Sequence, residues 1–221
     1  MTYTCRLDSE EDITVLVGPE EKQFTIQKDF LCNGSTFFSA AINGQFREAT
    51  ERQVRLPEVD VDLFATYVQF VYTKQIVPLD PEEIEKDTQG TKRKIRATEL
   101  YILADQFGDM LLQNKLIDYC IETVHQSRKL FPAIAITLAY QHLPANSKLR
   151  KLSVDLFLAS VSSAWLDQNR DDLPKDFLAD PAVRWVKGIR KKDIDQFDWS
   201  GYTRFEVCEY HEHNYDVPIC A

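Results

Sequence analysis

The chain has 221 residues, 44 % hydrophobic and 28 % charged, with seven glycines and nine prolines; this excludes a disordered or fibrous chain and leaves room for a core burying about 70 % of the unfolded surface. A net charge of −9 excludes a phosphate-tracking surface, which needs clustered Lys and Arg, so no direct nucleic-acid partner is expected. The longest mostly apolar stretch, residues 131–140, is too short for a bilayer, the opening residues lack the apolar run of a secretory signal, and the five cysteines lack framework spacing; no membrane association and an intracellular location, in cytoplasm or nucleus, are expected.

In chain order, Asp12 to Val17 reads as an apolar strand and the stretch around Phe24 and Ile26 as a second short one. Lys28 to Asn33 and Ser35 to Asn43 read as short helices, with Ser35 as an N-cap and Asn33-Gly34 as the break between them. Phe37, Phe38, Ala41 and Ile42 supply their apolar stripe, and Val54 to Leu56 is a further strand. Asp60 caps the next helix, in which Leu63, Phe64, Tyr67, Val68, Phe70 and Val71 recur at three- and four-residue intervals and so face inward. Residues 78–96 hold Pro78, Pro81, Gly90, the acidic Glu82, Glu83 and Glu85 and the basic Lys92, Arg93, Lys94 and Arg96, and read as a solvated connecting loop.

Leu100, Leu103, Ala104 and Phe107 then mark one amphipathic helix, and Leu112, Leu116, Tyr119, Cys120 and Val124 another beyond the Gly108-Asp109 break. Pro132 opens a helix up to His142, and Lys148 to about Trp165 reads as one helix with apolar residues on two faces, which places it between neighbours. Asp180-Pro181 reads as a helix start, with Trp185, Val186 and Ile189 as its buried stripe and Arg190-Lys191-Lys192 at its basic end.

This order of residues resembles the BTB/POZ domain. The resemblance rests on Asp12, Phe24, Ile26, Leu31, Ser35, Phe37 and Phe38, on Phe46 with Glu48, on Leu56 and Pro57, and on Phe64, Phe70, Tyr72 and Thr73. It implies an α+β fold, a small sheet flanked by helices, over residues 11–125, with the 78–96 loop inside it. An all-α extension over 126–200 and an irregular tail over 201–221 follow. The implied function is a noncatalytic protein–protein interaction module that homodimerises or docks on a cullin scaffold, as the substrate-recruiting adaptor of a ubiquitin ligase. The alternative is a self-associating scaffold or transcription-linked assembly protein without cullin contact. Short proteins of this build are similar to a group abundant in fungi. Gln27 stands where the family most often has His.

Phe46-Arg47-Glu48 matches the hydrophobic-x-Glu pattern through which such domains are expected to dock on cullins, the ring filling an apolar slot and the carboxylate giving a directional contact. The other reading makes Phe46 an anchor for the loop ahead of Val54. In the tail, Cys208, His211, His213 and Cys220 are a donor set suited to a closed, structural zinc site; in the competing reading Tyr202, Phe205, Val207, Cys208 and Tyr210 pack as an apolar tail. Lys92 to Arg96 can serve as a nuclear import signal or as a solvated helix approach. No Gly-rich phosphate loop, His-Glu-x-x-His or Gly-x-Ser-x-Gly is present, so no enzyme is expected. Cys120 and His125 diverge on one helix, and Cys120 lies on its apolar stripe as a structural thiol.

Overall fold

A computed structural model describes residues 12–45, 47–77, 81–186 and 208–213. These fall into two compact units, one formed by the residues up to 77 together with 103–112, the other by the remainder.

In the first unit, β1 (Asp12–Val17) is the central strand of a three-stranded sheet. It pairs antiparallel with β2 (Lys22–Gln27), setting Ile13 opposite Ile26 and Val15 opposite Phe24, and parallel with β3 (Gln53–Leu56), setting Val15 beside Val54 and Val17 beside Leu56. The alternation of Ile13, Val15 and Val17 puts all three in the core, at 1 % exposure or less. A turn at Gly18, whose φ of 75° suits glycine, closes the hairpin with Glu21 N–H donating to Gly18 O.

Around the sheet lie α1 (Lys28–Gly34), α2 (Thr36–Asn43), α3 (Arg47–Glu51) and α4 (Val61–Thr73). Ser35 and Asp60 cap α2 and α4 as expected, accepting from Phe38 N–H at 3.1 Å and Leu63 N–H at 2.7 Å. The unit is completed by Leu103–Phe107 at the end of α6 (Thr91–Phe107) and Met110–Leu112 at the start of α7 (Met110–Ser127). Phe107 is its aromatic hub, with ring centroids 4.9 Å from Phe38, 5.0 Å from Tyr67 and 6.2 Å from Phe64. Ser35 Oγ also donates to the Phe107 carbonyl at 2.6 Å, so one hydroxyl caps α2 and receives the end of α6. Asp109 caps α7 through Leu112 N–H at 2.9 Å and accepts from the buried Tyr67 hydroxyl at 3.4 Å; burial raises the pKa of both groups.

The second unit holds α5 (Pro81–Lys86), the rest of α6 and α7, α8 (Ala133–His142), α9 (Lys148–Ser160), α10 (Ser163–Asn169), a 3-10 turn at Arg170–Asp172 and α11 (Lys175–Val186). Leu149, Leu152 and Leu156 of α9 are buried, and the rings of Tyr140 and Phe157 close on Phe177 at 5.4 and 5.2 Å, so α9 lies between α8 and α11 as its two apolar faces predict. Arg150 sits 3.8 Å from the Tyr140 ring centroid, and the Tyr140 hydroxyl donates to Asp180; burial and that carboxylate hold the Tyr140 phenol well above its ordinary pKa.

Four expectations are corrected. Within the stretch expected to be a solvated loop over 78–96, the described residues from Pro81 on are helical on both sides of Asp87. Asp87 explains this: its carboxylate accepts from Lys92 N–H at 3.2 Å and Arg93 N–H at 2.9 Å, capping α6, and lies 3.4 Å from the Arg93 guanidinium. Lys94, expected in solvent or as part of an import signal, is 1 % exposed, its ammonium donating to Ser127 Oγ and the carbonyls of Gln89, Lys129 and Leu130 at 2.9–3.3 Å. The helix expected to run from Lys148 to Trp165 stops at Ser160, because Ser162 caps a new one by accepting from Trp165 N–H at 3.2 Å. Finally, Asp180-Pro181 lies inside α11, which begins at Lys175; Asp180 is engaged by Tyr140 and Arg150 instead of capping, and Val186 is 84 % exposed rather than buried. Ile189 and Arg190 to Lys192 lie outside the described residues.

Gly108 has φ 61°, and a Cβ there would lie 2.1 Å from Thr36 Oγ1. Gly108→Ala is therefore expected to lower unfolding stability by about 2 kcal/mol; an unchanged urea midpoint would contradict the strain argument. Burial lowers the Lys94 amine from 10.5 to about 8. Between those values the unfolded chain binds the extra proton, so the wild type gains stability as pH rises through this window, at up to about 1.4 kcal/mol per pH unit. Melting of Lys94→Met beside the wild type should show the wild-type advantage widening from pH 8 to 10; a difference that is flat or narrows rejects this.

Candidate docking groove

Helix α2 carries two kinds of apolar residue. Phe38 and Ile42 point into the core at 0 % and 7 % exposure, whereas Phe37, Ala40 and Ala41, at the i, i+3, i+4 positions of the next face, line an open groove. Val54 and Gln53 of β3 continue the wall, and Arg47, Glu48, Glu51 and Arg55 complete it. Its volume is about 440 Å³, in the range of pockets that take a side chain or a small ligand.

Phe37 is 38 % exposed yet held in place, stacked 5.5 Å from Phe107 and edge-on 5.1 Å from Phe38. The apolar part of the groove is thus a fixed extension of the aromatic core. Among the charged residues, Arg47 bonds Glu51 across one turn of α3, which raises its pKa further, and Arg55 reaches Glu51 at 3.7 Å and Glu21 at 3.6 Å. Glu48 stands one residue from Arg47, exposed, and joins no ion pair among the described residues. An uncommitted carboxylate beside an apolar slot offers a partner both a place for an aliphatic side chain and an acceptor for a cationic or N–H group.

Of the residues singled out in sequence, Glu48 lies on the groove, and Phe46 falls outside the described residues. Phe37, Ala40, Ala41 and Arg55 were not read as site residues. For Phe37, Ala40 and Ala41 the signal was available in the apolar pattern of α2, which is too wide for one buried face.

In the tail, Cys208 Sγ and His213 Nε2 approach to 3.2 Å, while His211 Nε2 bonds Asp118 at 2.9 Å. Cys220 lies outside the described residues, and among those described no three His, Cys, Asp or Glu side chains gather as a metal site. Cys120 is fully buried, and burial pushes its thiol up to about 12, which removes the thiolate a nucleophile needs.

A family model for the BTB/POZ domain matches residues 5–123, more than half the chain. The chain belongs to the BTB/POZ family. The three-stranded sheet flanked by helices is the α+β architecture expected of a BTB/POZ protein, and membership makes this chain a protein–protein interaction module. No curated protein matches it. None of its described helices is long and apolar enough to cross a membrane.

Proposed function

We propose that this BTB/POZ protein is a substrate-recruiting adaptor that docks on a cullin-type ubiquitin ligase scaffold through the groove between α2, α3 and β3. One observation carries the reading: the exposed carboxylate of Glu48 stands beside a rigid apolar slot walled by Phe37, Ala40, Ala41 and Val54. A helix of the scaffold presenting one aliphatic side chain and a neighbouring basic or N–H group would satisfy both features. The C-terminal half then selects the client, and chemistry on the client belongs to the ligase. A self-associating scaffold is the second reading, favoured by the exposed Phe30 and Tyr72 rings, which lie 4.7 Å apart in the same unit.

Titration against purified cullin N-terminal regions tests this. Glu48→Ala and Phe46→Ala should each weaken binding about tenfold, or about 1.4 kcal/mol, without changing the melting temperature. If the wild-type protein shows no cullin binding, the adaptor reading fails; a concentration-dependent dimer in the same sample would then support the scaffold.

The close approach of Cys208 and His213 supports a structural zinc held by the tail, for which His211 would leave Asp118 and join Cys220 as the remaining proposed donors. Protein purified without chelator should contain about one zinc per chain, falling on Cys208→Ser. Metal-free wild-type protein refutes the site.

A further inference from the structure

The second unit holds residues 208–213, a single turn closed by His211 N–H donating to Cys208 O at 3.1 Å, in a cradle of side chains from α7 and α9. Asn114 on α7 grips the main chain of Glu212 at both groups: its Nδ2 donates to the Glu212 carbonyl at 2.8 Å, and its Oδ1 accepts the Glu212 N–H at 2.7 Å. A carboxamide engaged in this reciprocal way reads backbone, whatever side chain is attached. Lys148 adds a second backbone contact, donating to the Glu209 carbonyl at 3.0 Å.

The side chains are read separately. Glu209 pairs with the Lys151 ammonium, which also lies 4.4 Å from the Tyr210 ring centroid. Tyr210, 4 % exposed, is the anchor; its hydroxyl donates to Asp155 Oδ2 at 2.9 Å, and Arg184 fixes that carboxylate from its other oxygen at 2.5 Å. His211 is buried against Asp118. Each of the four consecutive residues 209–212 thus meets a partner suited to its chemistry: acid to lysine, phenol to carboxylate, imidazole to carboxylate, and main chain to carboxamide. An apolar tail covering a core would not need such pairing. Short peptides, by contrast, are recognised through one buried anchor and oriented main-chain bonds.

The hold is also of a kind that releases. Of the remaining contacts, those of Lys148 and Lys151 with Glu209 are solvent-exposed polar bonds, each worth little against water, and only the Asn114 pair is part-buried. A short turn secured by one aromatic anchor opens locally at far lower free energy than the helices beneath it.

We propose that α7 and α9 form a peptide-recognition groove for a segment of acidic residue, tyrosine and histidine, that residues 209–212 are its resident ligand, and that an exogenous peptide of the same chemistry takes their place. The groove belongs to the second unit and is independent of the cullin reading.

The test uses the full chain and a fluorescein-labelled synthetic peptide of residues 207–213, followed by anisotropy. The tethered resident competes at an effective concentration of about 1 mM, so the Tyr210→Ala chain, whose resident has lost its anchor, should bind the peptide at least tenfold tighter than the wild type. Adding Asn114→Ala should reverse that gain. Absence of binding to a folded Tyr210→Ala chain, or binding indifferent to Asn114→Ala, overturns the proposal. Hydrogen exchange on the unsubstituted chain decides the matter should either variant fail to fold: the Glu212 amide should exchange at least tenfold more slowly than a free amide and lose that protection when excess peptide is added. Free exchange of that amide, or protection unmoved by peptide, also overturns it.

Discussion

The meeting of Ser35 and Phe107 is the constraint on which the interaction unit depends. A single hydroxyl accepts the Phe38 amide, satisfying one of the orphan donors of α2, and donates to the carbonyl of Phe107. The ring of Phe107 then closes the cluster of Phe38, Phe64 and Tyr67. Burying aromatic rings of this size stabilises by about 2–3 kcal/mol each, and edge-to-face geometry adds about 1 kcal/mol per pair. Neither term is gained unless a residue 72 positions along the chain from Ser35 is delivered to the correct depth. Gly108 follows at once with a left-handed backbone and close passage over Thr36, which turns the chain into α7 without moving Phe107.

The same cluster shapes the candidate docking groove. Phe37 packs on Phe107 and Phe38 with one face and presents the other to the groove, so a docking residue would meet a wall that is already ordered. Little side-chain entropy remains to be lost there on binding. The charges around the slot divide unevenly: Arg47 and Arg55 are drawn to Glu51, and Glu48 joins no ion pair among the described residues. Polarity is handled differently in the second unit, where Lys94, Arg150 and Asp155 sit inside or against the core and each is met by oriented partners. Those contacts specify how helices meet, whereas the groove charges remain in water.

Much of this was legible in the sequence because the signals were local. The alternation in Ile13, Val15 and Val17, the caps Ser35 and Asp60, the helical repeat through Phe64, Tyr67 and Phe70, and the Gly108 break each depend on neighbours within a turn or a strand. The family pattern, being an ordered set of such residues, was readable for the same reason. The reading failed where a distant partner overrides composition. Lys94 looks solvated until the carbonyls of residues 129 and 130 surround it. Asp180-Pro181 looks like a helix start until Tyr140 and Arg150 claim the carboxylate and Phe177 extends the helix upstream. The groove was half visible: Glu48 was singled out, while Phe37, Ala40 and Ala41 were merged into one apolar stripe with Phe38 and Ile42. Telling the two faces of α2 apart needs the position of the sheet and of Phe107.

The mixed pairing of β1 also dictates an order of events as the chain folds. Its antiparallel partner β2 follows after a tight turn, so that hairpin can close within microseconds, whereas the parallel partner β3 must return across three helices, with Val15 and Val54 brought side by side. Until that late arrival, one edge of β1 stands open with its amides and carbonyls unpaired. The nascent polypeptide is therefore most vulnerable to adhesive self-contact in the interval before Gln53–Leu56 emerges and docks.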